Sequence, residues 1–110
     1  MTDCLFCKMV TGDVPTHKLY EDDHIFVIKD IHPKARVHLL VIPKLHIDSL
    51  NEANEAHAPL LGYMMASLKN FAKEQGLDSF RTIVNTGKGS GQTIFHLHLH
   101  LLGGNNISPF

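Results

Sequence analysis

Residues 96 to 102 read His-Leu-His-Leu-His-Leu-Leu, so His96, His98 and His100 recur at every second position with leucines between them. Imidazole is a nucleophile, a general base, a hydrogen-bond donor and a metal ligand, and it titrates near neutral pH. Strict alternation has the period of a β-strand, which puts the three rings on one face and Leu97, Leu99 and Leu101 on the other. At a rise of about 3.3 Å per residue, neighbouring rings stand roughly 6.6 Å apart and the outer pair roughly 13 Å. One ion with bonds of about 2.0–2.1 Å reaches an adjacent His-x-His pair but not both outer rings. A polar strand face without chemistry is a poor account of three identical residues in perfect alternation. A nucleophile flanked by two orienting groups fits better.

The segment immediately before the strand, Asn85-Thr86-Gly87-Lys88-Gly89-Ser90-Gly91-Gln92-Thr93, supplies glycines, hydroxyls and amides. Such a loop presents backbone N–H groups to a phosphate. Alone, Gly-Ser-Gly is more often a flexible turn. Set against three histidines, it points to a phosphate held between loop and strand. Near the N-terminus, Cys4-x-x-Cys7 is compatible with half of a zinc site, a redox pair or two buried thiols. No βαβ pattern surrounds it, so a thioredoxin-like reading is poor.

These residues need elements to hold them. The histidine strand is expected from about Thr93 to Leu102. Lys18 to Glu21, Ile25 to Ile28, Val37 to Ile42 and Phe80 to Val84 read as four further strands. Asp30 to Arg36, with Pro33, is the expected hairpin loop, and Pro43 ends the third strand because proline cannot donate to a ladder. Cys4 to Val10 has room for about one helical turn before the Gly12-Asp13-Val14-Pro15 break. Ser49 and Glu52 have capping-box spacing. The main helix is expected from about His57 to Gln75, with Pro59 in its first turn and Gly76 closing its C-terminus. Leu61, Met64, Met65, Leu68, Phe71 and Ala72 fall on one helical stripe, and the methionines read as core or dimer packing. Short strands with one long helix predict an antiparallel α+β fold.

At 110 residues the chain is expected to form one domain over 1–110, with a composition 44% hydrophobic and 19% charged. A net charge of −1 argues against a broad electrostatic grip on nucleic acid or anionic membrane. It leaves room for a small anionic ligand. No apolar run reaches membrane-spanning length, and Met1 leads into polar residues, so a cytoplasmic location with reduced cysteines is expected.

Gln92-Thr93-Ile94-Phe95 followed by the alternating histidine run resembles the histidine triad nucleotide-binding family, and Gly103-Gly104 after it resembles that family's Hint branch. The stretches 26–31 and 38–47 are similar to the family's central hairpin, and Cys4-Leu5-Phe6-Cys7 to the N-terminus of prokaryotic-type members. The resemblance implies a five-stranded antiparallel sheet with one long and one short N-terminal helix, extended across a homodimer. It implies binding of purine nucleotides (AMP or GMP) and hydrolysis of nucleoside phosphoramidates to nucleotide and amine. His98 would be the nucleophile that forms a nucleotidyl-histidine intermediate. His96 and His100 would contact phosphoryl oxygens, with His38 in support. Gly91, Gln92 and Thr93 would hold the phosphate and leaving group. Asn85 would reach phosphate or ribose, Asp30 and Ile31 would hold the ribose, and the base would rest near Phe26 and Ile28. A structural zinc on Cys4, Cys7, His46 and His96 is implied, with no organic cofactor. Competing readings are a nucleotide-binding regulatory module with incidental turnover, a dinucleoside polyphosphate hydrolase, and a histidine-rich metal-binding protein.

Overall fold

A computed structural model describes residues 3–109. Helix α1 (Leu5–Thr11) is followed by strands β1 (Tyr20–Glu21), β2 (Ile25–Lys29) and β3 (Val37–Pro43). Helix α2 (Ala58–Glu74), β4 (Arg81–Ile83) and β5 (Leu99–Gly103) complete the chain. The strands form one antiparallel sheet in the order β1-β2-β3-β5-β4. Among the described residues, no helix is long and apolar enough to cross a membrane.

Both faces of the sheet are covered, which is why β2 and β3 read as near-continuous apolar runs. On one face Ile25, Val27, Leu39, Val41, Leu99 and Leu101 pack against Met64, Leu68, Phe71 and Ala72 of α2. On the other, Phe26, Ile28, Leu40 and Ile42 pack against Phe6 of α1. The β3–β5 register sets Leu40 opposite His100 and His38 opposite Leu102, so His38 and His100 share the α1 face. Asp30 N–H donates to the His38 carbonyl at 2.9 Å, which brings the end of β2 alongside them. The period-2 pattern therefore delivers leucines to the α2 core and imidazoles to the opposite side.

Several local expectations are corrected. The histidine strand begins at Leu99, not Thr93, because Ile94 to His96 bend out of the sheet and Leu97 N–H donates to the Ile47 carbonyl at 2.7 Å. Met65 lies 56% exposed while Met64 is fully buried, so the apolar stripe of α2 passes through Met64 alone. Met64 thus packs in the core, one of the two roles expected of the methionines, and Met65 faces outward. Ser49 accepts from Asn51 N–H instead of closing a box with Glu52. The capping box forms one turn later, between Asn54 and His57. The C-terminus of α2 behaves as expected: Gly76 takes φ +76°, Gly76 N–H reaches Lys73 O, and Leu77 N–H reaches Ala72 O.

Candidate active site

A cavity of about 580 Å³ opens between α1, the end of β2, β5 and the glycine-rich loop. Its chemistry lies in the rings of His98 and His100, with His38 and Asp30 behind them.

Hydrogen bonding assigns each ring's proton. His98 Nδ1 lies 2.7 Å from the carbonyl oxygen of His96, an atom that only accepts, so Nδ1 carries the hydrogen. Nε2 of His98 is left with a free lone pair. His38 Nδ1 accepts from Lys34 N–H at 3.0 Å, so its proton is on Nε2. That proton faces His100 Nδ1 at 2.9 Å and Asp30 Oδ2 at 3.3 Å. His100 thus accepts at Nδ1 and carries a proton on Nε2. Burial lowers the pKa values of His38 and His98, and that of His100 falls to about 4. Desolvation penalises the imidazolium form, which keeps a nucleophile unprotonated and a neutral donor beside it. Asp30 opposes part of this shift through its charge and also accepts from His32 N–H at 2.8 Å.

The other residues read from the sequence divide into those that reach the cavity and those that do not. Asp30, Ile31, Ile28, Asn85, Gly91 and Thr93 line it. Gly91 adopts φ +96°, a left-handed conformation that favours glycine. Phe26 is fully buried beneath α1 and offers no surface to a ligand. Gln92 is only 3% exposed and spends its amide on backbone groups. His96 is fully buried, and from that position the expected contact with a phosphoryl group is not available.

What sequence reasoning missed is the wall contributed by α1. Leu5, Phe6 and Met9 line the cavity, at i, i+1 and i+4 on one side of a helix read only as a short turn. Lys29 and Lys34 also stand at the cavity, against one carboxylate, Asp30.

His96 belongs to a second constellation. Its Nδ1 lies 3.2 Å from Cys4 Sγ, 3.6 Å from Cys7 Sγ and 3.1 Å from His46 Nδ1, while Cys7 Sγ is 3.3 Å from His46 Nδ1. The outer nitrogens are committed: His96 Nε2–H donates to the Pro43 carbonyl at 2.7 Å and His46 Nε2–H to Asp48 Oδ1 at 2.5 Å. Phe6 separates the two groups, presenting ring edges to His96 and His98 at centroid distances of 5.7 and 5.2 Å.

Comparison with known proteins agrees with this geometry. Residues 3–110 match the family model described as "Scavenger mRNA decapping enzyme C-term binding". The chain is 50% identical over 104 residues to protein HitA of Neisseria gonorrhoeae, covering 94% of this chain and 97% of that one. The chain belongs to the histidine triad family. It is also 34% identical over 109 residues to a purine nucleoside phosphoramidase of Escherichia coli K12, covering 97% and 92% of the two chains. Among solved structures, a histidine triad family hydrolase from Clostridium thermocellum superposes with a TM-score of 0.95 at 41% identity, covering 100% of this chain and 97% of that one.

Proposed function

We propose that this histidine triad protein hydrolyses purine nucleoside phosphoramidates through a nucleotidyl intermediate on His98. The observation that carries the reading is the His98 ring, locked by the His96 carbonyl with Nε2 unprotonated at the cavity. Nε2 attacks the α-phosphorus as the bond from phosphorus to the amine nitrogen breaks, and the amine leaves with a proton taken up from solvent. Water then attacks the phosphorus and gives a proton to solvent, as the bond from phosphorus to Nε2 breaks, its electron pair returns to Nε2 and the nucleoside monophosphate leaves. Covalent catalysis of this kind divides one hard displacement into two easier ones. His100, donating from Nε2 and backed by His38 and Asp30, stabilises charge on the phosphoryl oxygens. Asn85, Gly91 and Thr93 border the same space as phosphate contacts. Asp30 and Ile31 hold the ribose, and Leu5, Phe6, Met9 and Ile28 supply the apolar surface for a purine. The E. coli phosphoramidase supports the choice of a P–N substrate.

The donor set of the second constellation fits a structural zinc. Tetrahedral bonds of about 2.05 Å to nitrogen and about 2.3 Å to sulfur imply ligand separations of roughly 3.3–3.8 Å. The observed contacts of 3.1–3.6 Å lie close to those values. With both outer nitrogens donating to oxygen, the Nδ1 lone pairs of His46 and His96 face each other, an arrangement that a cation between them relieves. Cys4, Cys7, His46 and His96 would hold the ion, whose chemistry is to tie α1 to the segments after β3 and before β5. A homodimer completes the reading, with β4 the sheet edge on the β5 side available for extension by a second copy.

The test is AMP release from an adenosine phosphoramidate, with wild type beside His98→Ala. Turnover that collapses in the variant, with an adenylyl adduct trapped on wild type, is the expected result. AMP binding by both proteins with turnover by neither overturns the enzymatic reading in favour of a nucleotide-binding module.

A further inference from the structure

Given the nucleotide site proposed above, we infer that the Gln92 carboxamide is a positioning group for the phosphate-facing loop and touches no substrate itself. Although Gln92 sits between two cavity-lining residues, Gly91 and Thr93, its own side chain turns inward and is almost wholly buried. Its Oε1 accepts from Gly87 N–H at 2.9 Å, and its Nε2 donates to the Asp48 carbonyl at 2.8 Å and the Ile94 carbonyl at 3.1 Å. Reversing the amide would set NH2 against an N–H and an oxygen against two carbonyls, so the orientation is fixed by its neighbours. Both amide hydrogens are used, leaving no donor for a ligand.

The backbone repeats the tie. Gln92 N–H donates to the Gly87 carbonyl at 3.1 Å, so one residue holds both the N–H and the C=O of Gly87. Between them the chain makes a single 3-10 turn, Lys88–Ser90, flanked by Gly87 and Gly91 with φ of +91° and +96°. Glycines so placed have broad backbone freedom once untethered. The amide removes that freedom at the base of the loop, whose N–H groups at Gly87, Ser90, Gly91 and Gln92 are spent within it, and so fixes Gly91 and Thr93 at the cavity wall.

Asp48 is the shared anchor. Its carbonyl receives Gln92 and its carboxylate receives His46 Nε2–H, so the loop is fastened to the same residue that orients a ligand of the Cys/His cluster. The loop is thereby held to the segment after β3.

Gln92→Met keeps an unbranched side chain of similar length and removes all three side-chain hydrogen bonds. Hydrogen exchange at the Gly87 amide, with Leu40 and Leu101 as core controls, and calorimetric binding of AMP and adenosine are the readouts. The expected result is faster exchange at Gly87 with unchanged core amides, AMP binding weakened about tenfold, and adenosine binding unaltered. A tenfold loss of AMP binding with Gly87 protection intact would show a direct substrate contact and overturn the inference, as would equal loss of AMP and adenosine. Should Gln92→Met fail to fold, Gln92→Asn, too short to span the three partners, is read by the same measurements. If wild type binds no AMP, the nucleotide site itself has failed, while Gly87 exchange still reports the tether separately.

Discussion

Two groups of histidines bring their ligand atoms close enough to hold a metal: Cys4, Cys7, His46 and His96 in one, Asp30, His38 and His100 in the other. Proximity alone does not distinguish them. Their hydrogen bonds do. In the first group the outward nitrogens of His46 and His96 donate to oxygen, so two lone pairs converge across 3.1 Å with only the weak S–H donors of Cys4 and Cys7 beside them. In the second, the His38 Nε2–H lies between His38 and His100 at 2.9 Å and the carboxylate of Asp30 stands by, a network already satisfied without an ion. Identical side chains thus acquire different chemistry from the partner of the far nitrogen. A carbonyl behind the ring aims a lone pair forward, and a backbone N–H behind it aims a proton forward.

The largest effect expected from this division is a crossing of phenotypes. His98→Ala should lower turnover by about 10⁴-fold while leaving bound metal at wild-type stoichiometry. Cys4→Ser combined with Cys7→Ser should abolish stoichiometric zinc and lower the thermal midpoint, yet still form the adenylyl adduct on His98. Elemental analysis beside intact-mass detection of the adduct reads both. Loss of metal in His98→Ala, or loss of the adduct in the cysteine variant, would break the separation.

Phe6 is the wall, and its removal is the next largest perturbation. It is 2% exposed, packs with Phe26, Ile28, Leu40 and Ile42, and meets His96 of the first group and His98, whose ring lies beside that of His100, in edge contacts. Truncation to alanine in such a site costs about 3–5 kcal/mol, which denaturant unfolding would register. Nucleotide affinity should fall too, because the same ring lines the cavity. Phe6→Leu, which retains apolar bulk, should recover most of the stability and less of the affinity. Equal recovery of both would make Phe6 a packing residue only.

Much of this arrangement was legible in the residues. Alternation placed His98 and His100 on one side and their leucines in the core, and the proline and glycine signals gave the end of β3 and the close of α2. The departures arise where particular partners, near or far in the chain, override local period. His96 obeys the alternation in sequence but leaves the strand, because Ile47 and Pro43 capture the neighbouring amide and its own ring. Phe26 and Phe6 are both apolar and near the site, and only packing decides that α1 covers the first and exposes an edge of the second to the cavity. Gln92 looks like a ligand contact from its neighbours, whereas its partners lie 5 residues before it, 44 residues before it and 2 residues after it.

The smallest expected effect separates the proton network from the metal group by pH. His100 has a folded-state pKa of about 4, below its ordinary value, because burial disfavours the imidazolium and the neighbouring histidines oppose it. Above about 6.5 the ring is neutral in both folded and unfolded chains and contributes no pH dependence. As pH falls from there toward 4, the unfolded chain binds a proton that the folded chain refuses, so stability declines across that window. Below it the folded ring is protonated too, and its contribution levels off. His100→Gln retains an acceptor for His38 Nε2–H without titrating. Its unfolding free energy should therefore fall less steeply than wild type between pH 6.5 and 4, while the two curves run parallel above that range. Parallel curves throughout would mean that His100 is solvated enough to titrate normally, and the distinction between a proton-sharing pair and a metal-binding pair would lose its electrostatic basis.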